Sequence, residues 1–244
     1  MKKFNWLNIW QNVRLLFIIV ALLLLYSFTL KRNGERKLTK AKVEFVGENQ
    51  LFVTHETVNK LLIENNSDAQ SIRKDKLDLN RLEKAINANS MIEKSELFVS
   101  IDGVLKAVVK QKTPIARVMD ESYGFYVDYE GSVMPLSAIS AARVPLVSGK
   151  IKKESSKDLC ELFRLIYNDD FLRKNIIGIQ ILPSGGLIMK NRNFDYQIDF
   201  GSTINVEQKF NNYKAFFQKA VQDSSINKYK RINLRFTQQV VCTK

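Results

Sequence analysis

The sequence predicts an α+β protein: a single N-terminal transmembrane helix, a small strand-helix-helix-strand-strand domain, and then a mainly antiparallel β domain with flanking helices. Three patterns carry this reading. Residues 15–30 form an uncharged apolar run bounded by Arg14 and Lys31. Between Val43 and Gln111 the periodicity alternates between two and 3.6 residues in the order strand, helix, helix, strand, strand. From Pro114 onward, short aromatic and β-branched runs broken by turn residues replace it, the texture of an antiparallel sheet. The segmentation that follows is 1–12 before the membrane, 13–30 within it, 31–40 a basic juxtamembrane linker, 41–113 the small domain and 114–244 the β domain.

The apolar run, LLFIIVALLLLYSFTL, spans roughly 24 Å as a helix, short of a hydrocarbon core of about 30 Å. Val13 adds length, and Arg14 and Lys31 extend their stems along lipid while their charges reach the headgroups. Trp6, Trp10 and Tyr26 suit an interfacial aromatic belt. No small-x-small cleavage site follows the run, so an uncleaved anchor is expected rather than a removed signal.

Charge points the same way. The chain has 38 Lys and Arg against 25 Asp and Glu, a net +13, a balance that suits nucleic acid or an anionic membrane. Residues 1–42 hold nine basic side chains (Lys2, Lys3, Arg14, Lys31, Arg32, Arg36, Lys37, Lys40, Lys42) and one acidic one, Glu35, so most of the excess flanks the apolar run. Anionic lipids at those flanks are the expected partner, and nucleic acid is not, because the folded part carries too little excess charge. Three basic residues precede the run and six follow it, so the positive-inside tendency taken literally puts the long domain in the cytoplasm.

Along the small domain, Ala41–Gly47 alternates as a half-buried strand. Thr54 caps a helix with Val58, Leu61 and Leu62 on one face. Residues 65–76 are polar and read as a loop. Asn80, with Glu83 three residues on, opens a second helix that buries Leu82 and Ile86. Glu96–Ile101 and Val104–Val109 flank Asp102-Gly103, the pair expected in a type I′ hairpin turn.

In the β domain, Ile115–Met119, Phe125–Asp128 and Val133–Leu136 form a meander. A helix capped by Ser155, with Asp158 at the capping-box position, carries the stripe Leu159, Leu162, Phe163 and Ile166. Ile176–Leu182 and Leu187–Met189 bracket Pro183-Ser184-Gly185-Gly186, and Tyr196–Phe200 adds a strand. A helix with Val206, Phe210, Tyr213 and Phe217 follows, then a final strand over Lys230–Val241.

Catalytic equipment is sparse. The one histidine, His55, sits at the start of a helix and reads as a surface residue, leaving a serine or cysteine nucleophile without a base. No Gly-x-Ser-x-Gly elbow, phosphate loop or dinucleotide fingerprint occurs. Asp128 with Glu130, and Asp169 with Asp170, are candidate carboxylate pairs in turn-like contexts where such residues serve local hydrogen bonding. Two cysteines exclude a Cys-built zinc site and a disulfide-dense scaffold. Cys160 reads as a small hydrophobe in a helix, and spacing leaves open whether it pairs with Cys242. No catalytic, cofactor-binding or metal residue is expected, and no cofactor or small-molecule substrate.

The anchor, the Val43–Gln111 unit, and the ending Ile232-Asn233-Leu234-Arg235-Phe236 after a Lys209-x-x-x-Tyr213 helix together resemble the FtsQ/DivIB family of bacterial division proteins. The small unit resembles a POTRA domain, and the closing TQQVVCTK resembles the Bacteroidetes branch. The resemblance implies a non-catalytic inner-membrane scaffold of the divisome, with a cytoplasmic N-terminus and a periplasmic body enriched at the septum. It implies partners of the FtsB-like and FtsL-like kind, recruited through the end of the β domain. An edge strand there would accept a partner strand, with Phe236, Gln238 and Val240 on one face and Arg235 contributing charge. The alternative for Phe236 and Val240 is sheet core. A different membrane-tethered POTRA protein of envelope assembly or secretion, or a tethered envelope hydrolase, stays open as a function.

Overall fold

The computed structural model describes residues 6–47, 52–64, 73–119, 123–151 and 156–244. The first helix, α1 (Trp6–Gly34), runs through the apolar segment without a break. Its Leu15–Leu30 side chains stay almost wholly exposed, and Trp10–Gly34 is long and apolar enough to cross a membrane. A helix apolar on every side needs lipid or protein around it, and among the described residues none buries its apolar run. The stretch expected as a linker is divided: Lys31–Gly34 finish the helix, while Leu38 is buried and Lys37 bridges to Arg73.

The chain folds into two compact units, residues 1–47 with 54–110, and 48–53 with 111–244. The first contains strand β1 (Lys40–Val46), helices α2 (His55–Glu64) and α3 (Leu79–Asn87), and strands β2 (Ile92–Val99) and β3 (Val104–Gln111). The sheet order is β1-β3-β2, with β1 parallel to β3 from Lys40↔Val104 to Val46↔Lys110. Val58, Leu62, Leu82 and Ile86 from the helices and Val43, Ala107 and Val109 from the strands are buried. That is the predicted element order, and the apolar stripes fall where the helical period puts them.

Two local details differ from expectation. The cap of α3 is Asp78, whose side chain accepts from Arg81 N at 3.0 Å; Asn80 lies inside the helix, and Glu83 accepts from Leu97 N at 2.7 Å instead of closing a capping box. The β2–β3 turn is not type I′. Only Gly103 takes positive φ (+83°), and a type I′ turn needs two such residues; Gly103 N donates to Ser100 O, so the turn spans Ser100–Gly103. Of the predicted 65–76 loop, 65–72 lies outside the described residues, and Lys74–Lys76 forms a 3-10 turn.

The second unit is built on a nine-stranded sheet. Strands β4 (Pro114–Met119), β5 (Gly124–Asp128) and β6 (Val133–Pro135) form the expected antiparallel meander. Strand β7 (Leu146–Ser148) was not legible in the sequence; it lies parallel to β4 on one side and to β8 (Ile176–Ile181) on the other. The crossover from β7 to β8 carries α4 (Ser156–Asn168) and the short α5 (Asp170–Asn175). Leu159, Leu162, Phe163 and Ile166 are buried as predicted; the expected cap Ser155 lies outside the described residues. Strands β9 (Leu187–Asn191) and β10 (Gln197–Gly201) continue antiparallel from β8. Helix α6 (Val206–Gln222) then crosses to β11 (Arg231–Asn233), parallel to β10.

The predicted single strand over Lys230–Val241 is two short strands. After β11 the chain leaves the sheet and returns as β12 (Val241–Thr243), antiparallel to β11 with Ile232 opposite Cys242. The cause is local: Asn233 Oδ1 accepts from Arg235 N at 3.0 Å, an Asx-type bond that bends the chain. The sheet order is β12-β11-β10-β9-β8-β7-β4-β5-β6.

Candidate functional site

At the β12 end of that sheet, β11 has neighbours on both sides, whereas β12 has a strand on one side only. Such an edge leaves main-chain donors and acceptors available to an added strand. Beside it runs the connection 234–240, which two anchors hold. Leu234 is buried and its N–H donates to Asp199 O at 2.9 Å. Three residues on, Thr237 O accepts from Asn212 Nδ2 of α6 at 2.9 Å. Between these anchors Phe236 points outward, 52% exposed.

The four residues singled out from the sequence are therefore close in the chain, but Phe236, Gln238 and Val240 do not share the strand face expected of them. Arg235, Phe236 and Gln238 are exposed in the connection, while Val240 packs partly buried against the core. The core alternative holds in part for Val240 and does not describe Phe236. Val241 on β12, 43% exposed, was missed, because a three-residue strand has no readable period.

The underside of this edge is unusually constrained. Gly201, closing β10 at φ +76°, lies under Arg235; a Cβ there would stand 2.9 Å from Arg235 Cγ. Glycine accepts both the positive φ and the close approach. Next to it the buried Lys209 of α6 donates to Phe200 O at 3.1 Å and Ser202 O at 2.8 Å, and its ammonium lies 4.9 Å from the Phe200 ring centroid. Burial lowers the Lys209 pKa from its ordinary value, since desolvation disfavours the charged form.

Three of the four candidate carboxylates have local partners. Asp128 is buried, accepts from Ser132 N at 2.6 Å and pairs with Lys112 at 3.2 Å. Asp169 caps α5 and pairs with Lys214, while Asp170 pairs with Arg173. Burial acts against the Asp169 charge, but Lys214 and the Leu172 N–H outweigh it and hold the pKa below the usual value. His55 is exposed and meets Phe45 edge-on at 4.7 Å. Cys160 and Cys242 are free thiols, each with its pKa raised by burial. Among the described residues no three His, Cys, Asp or Glu side chains group as metal ligands.

The model of the family described as FtsQ/DivIB, C-terminal related, matches residues 113–243. No curated protein sequence matches the chain. Among solved structures, the major extracytoplasmic domain of the trans isomer of the bacterial cell division protein DivIB from Geobacillus stearothermophilus is similar. That likeness covers 47% of this chain and 97% of that one, at 15% identity and a TM-score of 0.33.

Proposed function

The chain belongs to the FtsQ/DivIB, C-terminal related family of cell-division proteins, and from that premise we propose that it is a non-catalytic divisome scaffold that recruits its partners by strand addition at β12. The one helix long and apolar enough to cross a membrane among the described residues fits a membrane-anchored division protein. In this reading α1 spans the inner membrane, residues 1–12 are cytoplasmic, and both folded units are periplasmic and concentrate at the septum. The partners are FtsB-like and FtsL-like division proteins, with anionic lipids at the ends of α1.

The observation that supports recruitment is the open side of β12 beside the exposed Phe236. A partner strand would take main-chain hydrogen bonds from β12, with Phe236 and Val241 as apolar contacts. Arg235 and Gln238 would lie at a polar rim, where truncation changes affinity little. Val240 belongs partly to the core, so a charge there would test folding rather than binding.

The test is co-purification of the FtsB-like partner with Phe236→Asp/Val241→Asp. Both positions are exposed, so the melting temperature should stay near wild type. Loss of two central apolar contacts should weaken the complex by at least roughly tenfold. Unchanged capture by the folded variant would overturn recruitment through β12. Depletion in cells should give filaments, and alkaline phosphatase fused to the C-terminus should be active if that end is exported.

A further inference from the structure

The β2–β3 turn of the first unit is tied to the end of α1. Arg36, two residues past the helix, donates from Nη1 to Ile101 O at 3.0 Å. Thr39 N donates to Gly103 O at 2.9 Å, and Lys74 Nζ donates to Ser100 O at 3.2 Å. Lys74 N in turn donates to Arg36 O at 2.9 Å. Gly103 permits this approach: a Cβ there would lie 2.8 Å from Lys37 O. The turn is thus fixed beside the helix exit through its main-chain carbonyls, which accept from the Arg36 and Lys74 side chains and from Thr39 N.

What the turn carries is Ile101, 79% exposed. Its side chain lines a concavity of about 590 Å³ together with Phe28, Leu30, Arg32 and Arg36. Phe28 and Leu30 are the last apolar residues of the run, so Ile101 stands level with its final turn. The lining combines apolar side chains with two guanidinium groups, the division found in a phospholipid between its acyl chains and its phosphate. Arginine's planar fork matches phosphate oxygens in two-point contact.

We propose that this concavity binds the headgroup of an anionic phospholipid, with Ile101 seated in the interfacial layer and Arg32 and Arg36 on the phosphate. The proposal rests on the reading of α1 as a membrane anchor. The site would fix the first unit against the bilayer surface rather than leaving it on a free tether, and would give the cluster after the apolar run a structural role.

The experiment uses full-length protein with Cys160→Ala, Cys242→Ala and Ile101→Cys, labelled at the new thiol with an environment-sensitive fluorophore. It is reconstituted into phosphatidylcholine vesicles with or without phosphatidylglycerol, containing a headgroup-level quencher. Flotation reports the anchor independently. The expected result is protein that floats, with the label quenched when phosphatidylglycerol is present. The same label at Val46→Cys, the far end of β1 and roughly 20 Å along the strand, should stay unquenched. Arg32→Gln should raise the phosphatidylglycerol needed by about fivefold. Floating protein whose Ile101 label behaves as in water would overturn the headgroup site and leave the anchor intact, whereas protein that does not float would overturn both. Quenching that ignores phosphatidylglycerol or Arg32→Gln would overturn the anionic selectivity.

Discussion

Tyr213 is fully buried in the second unit, and its hydroxyl has two partners: the Asn191 amide at 2.9 Å and the Tyr196 hydroxyl at 2.8 Å. Burial pushes both tyrosines above the ordinary value of 10.0, and for Tyr196 the neighbouring Tyr213 adds to the shift. A folded state that keeps these protons gains nothing from them below that value, because the unfolded chain keeps them as well. Above it the unfolded chain ionises while the folded one does not. Stability should therefore fall as pH rises past about 10, by about 1.4 kcal/mol per pH unit for each hydroxyl. Tyr196→Phe should cost about 1 kcal/mol at pH 8 through the lost hydrogen bond, yet remove one hydroxyl's share of the alkaline slope. Urea unfolding at several pH values measures both, and an unaltered slope would exclude the pair as its source.

Which acceptor caps a helix is decided at the scale of the element, and α3 offers a direct comparison. Asp78 and Asn80 are both good capping residues, and Glu83, three positions after Asn80, makes the sequence pattern favour Asn80. The hydrogen bond from Arg81 N selects Asp78. Asp78→Ala should cost about 1 kcal/mol, while Asn80→Ala, inside the helix and exposed, should be neutral or slightly stabilising; equal costs in thermal melts would refute the assignment. The same contrast explains what was legible. The stripes of α3 and α4 recur over enough turns to declare a period. The three-residue β7 and β12 have none, and the six-residue α5 shows less than two turns. The end of the chain misled for a different reason: Ile232, Leu234 and Phe236 alternate as a strand would, but Asn233 bonds to Arg235 N and turns the chain out of the sheet. The sequence thus put Arg235, Phe236 and Gln238 near the end of the sheet, where they are exposed in the connection rather than in a strand, and it overlooked the exposed Val241 of β12.

For the whole molecule, chain order and folding unit do not coincide. Residues 48–53 fall between β1 and α2, both in the first unit, yet belong to the second. The described part of that segment is firmly held. Phe52 N and Val53 N both donate to Gln111 Oε1, at 2.8 and 2.9 Å, and Phe52 O accepts from Ser137 Oγ at 2.9 Å. The Phe52 ring, 5% exposed, lies 6.3 Å from the ring of the buried Tyr126 on β5. A sequence-based boundary at 113/114 assigns Phe52 to the small domain, and a fragment beginning there would lack one wall around Tyr126. Phe52→Ala should consequently destabilise the second unit by about 3 kcal/mol or more, the usual cost of emptying a buried aromatic site. Hydrogen exchange locates the loss. Amides of β5 around Tyr126 and Val127 should exchange faster while those of α2 and α3 keep their protection, and faster exchange confined to α2 and α3 would return the segment to the first unit.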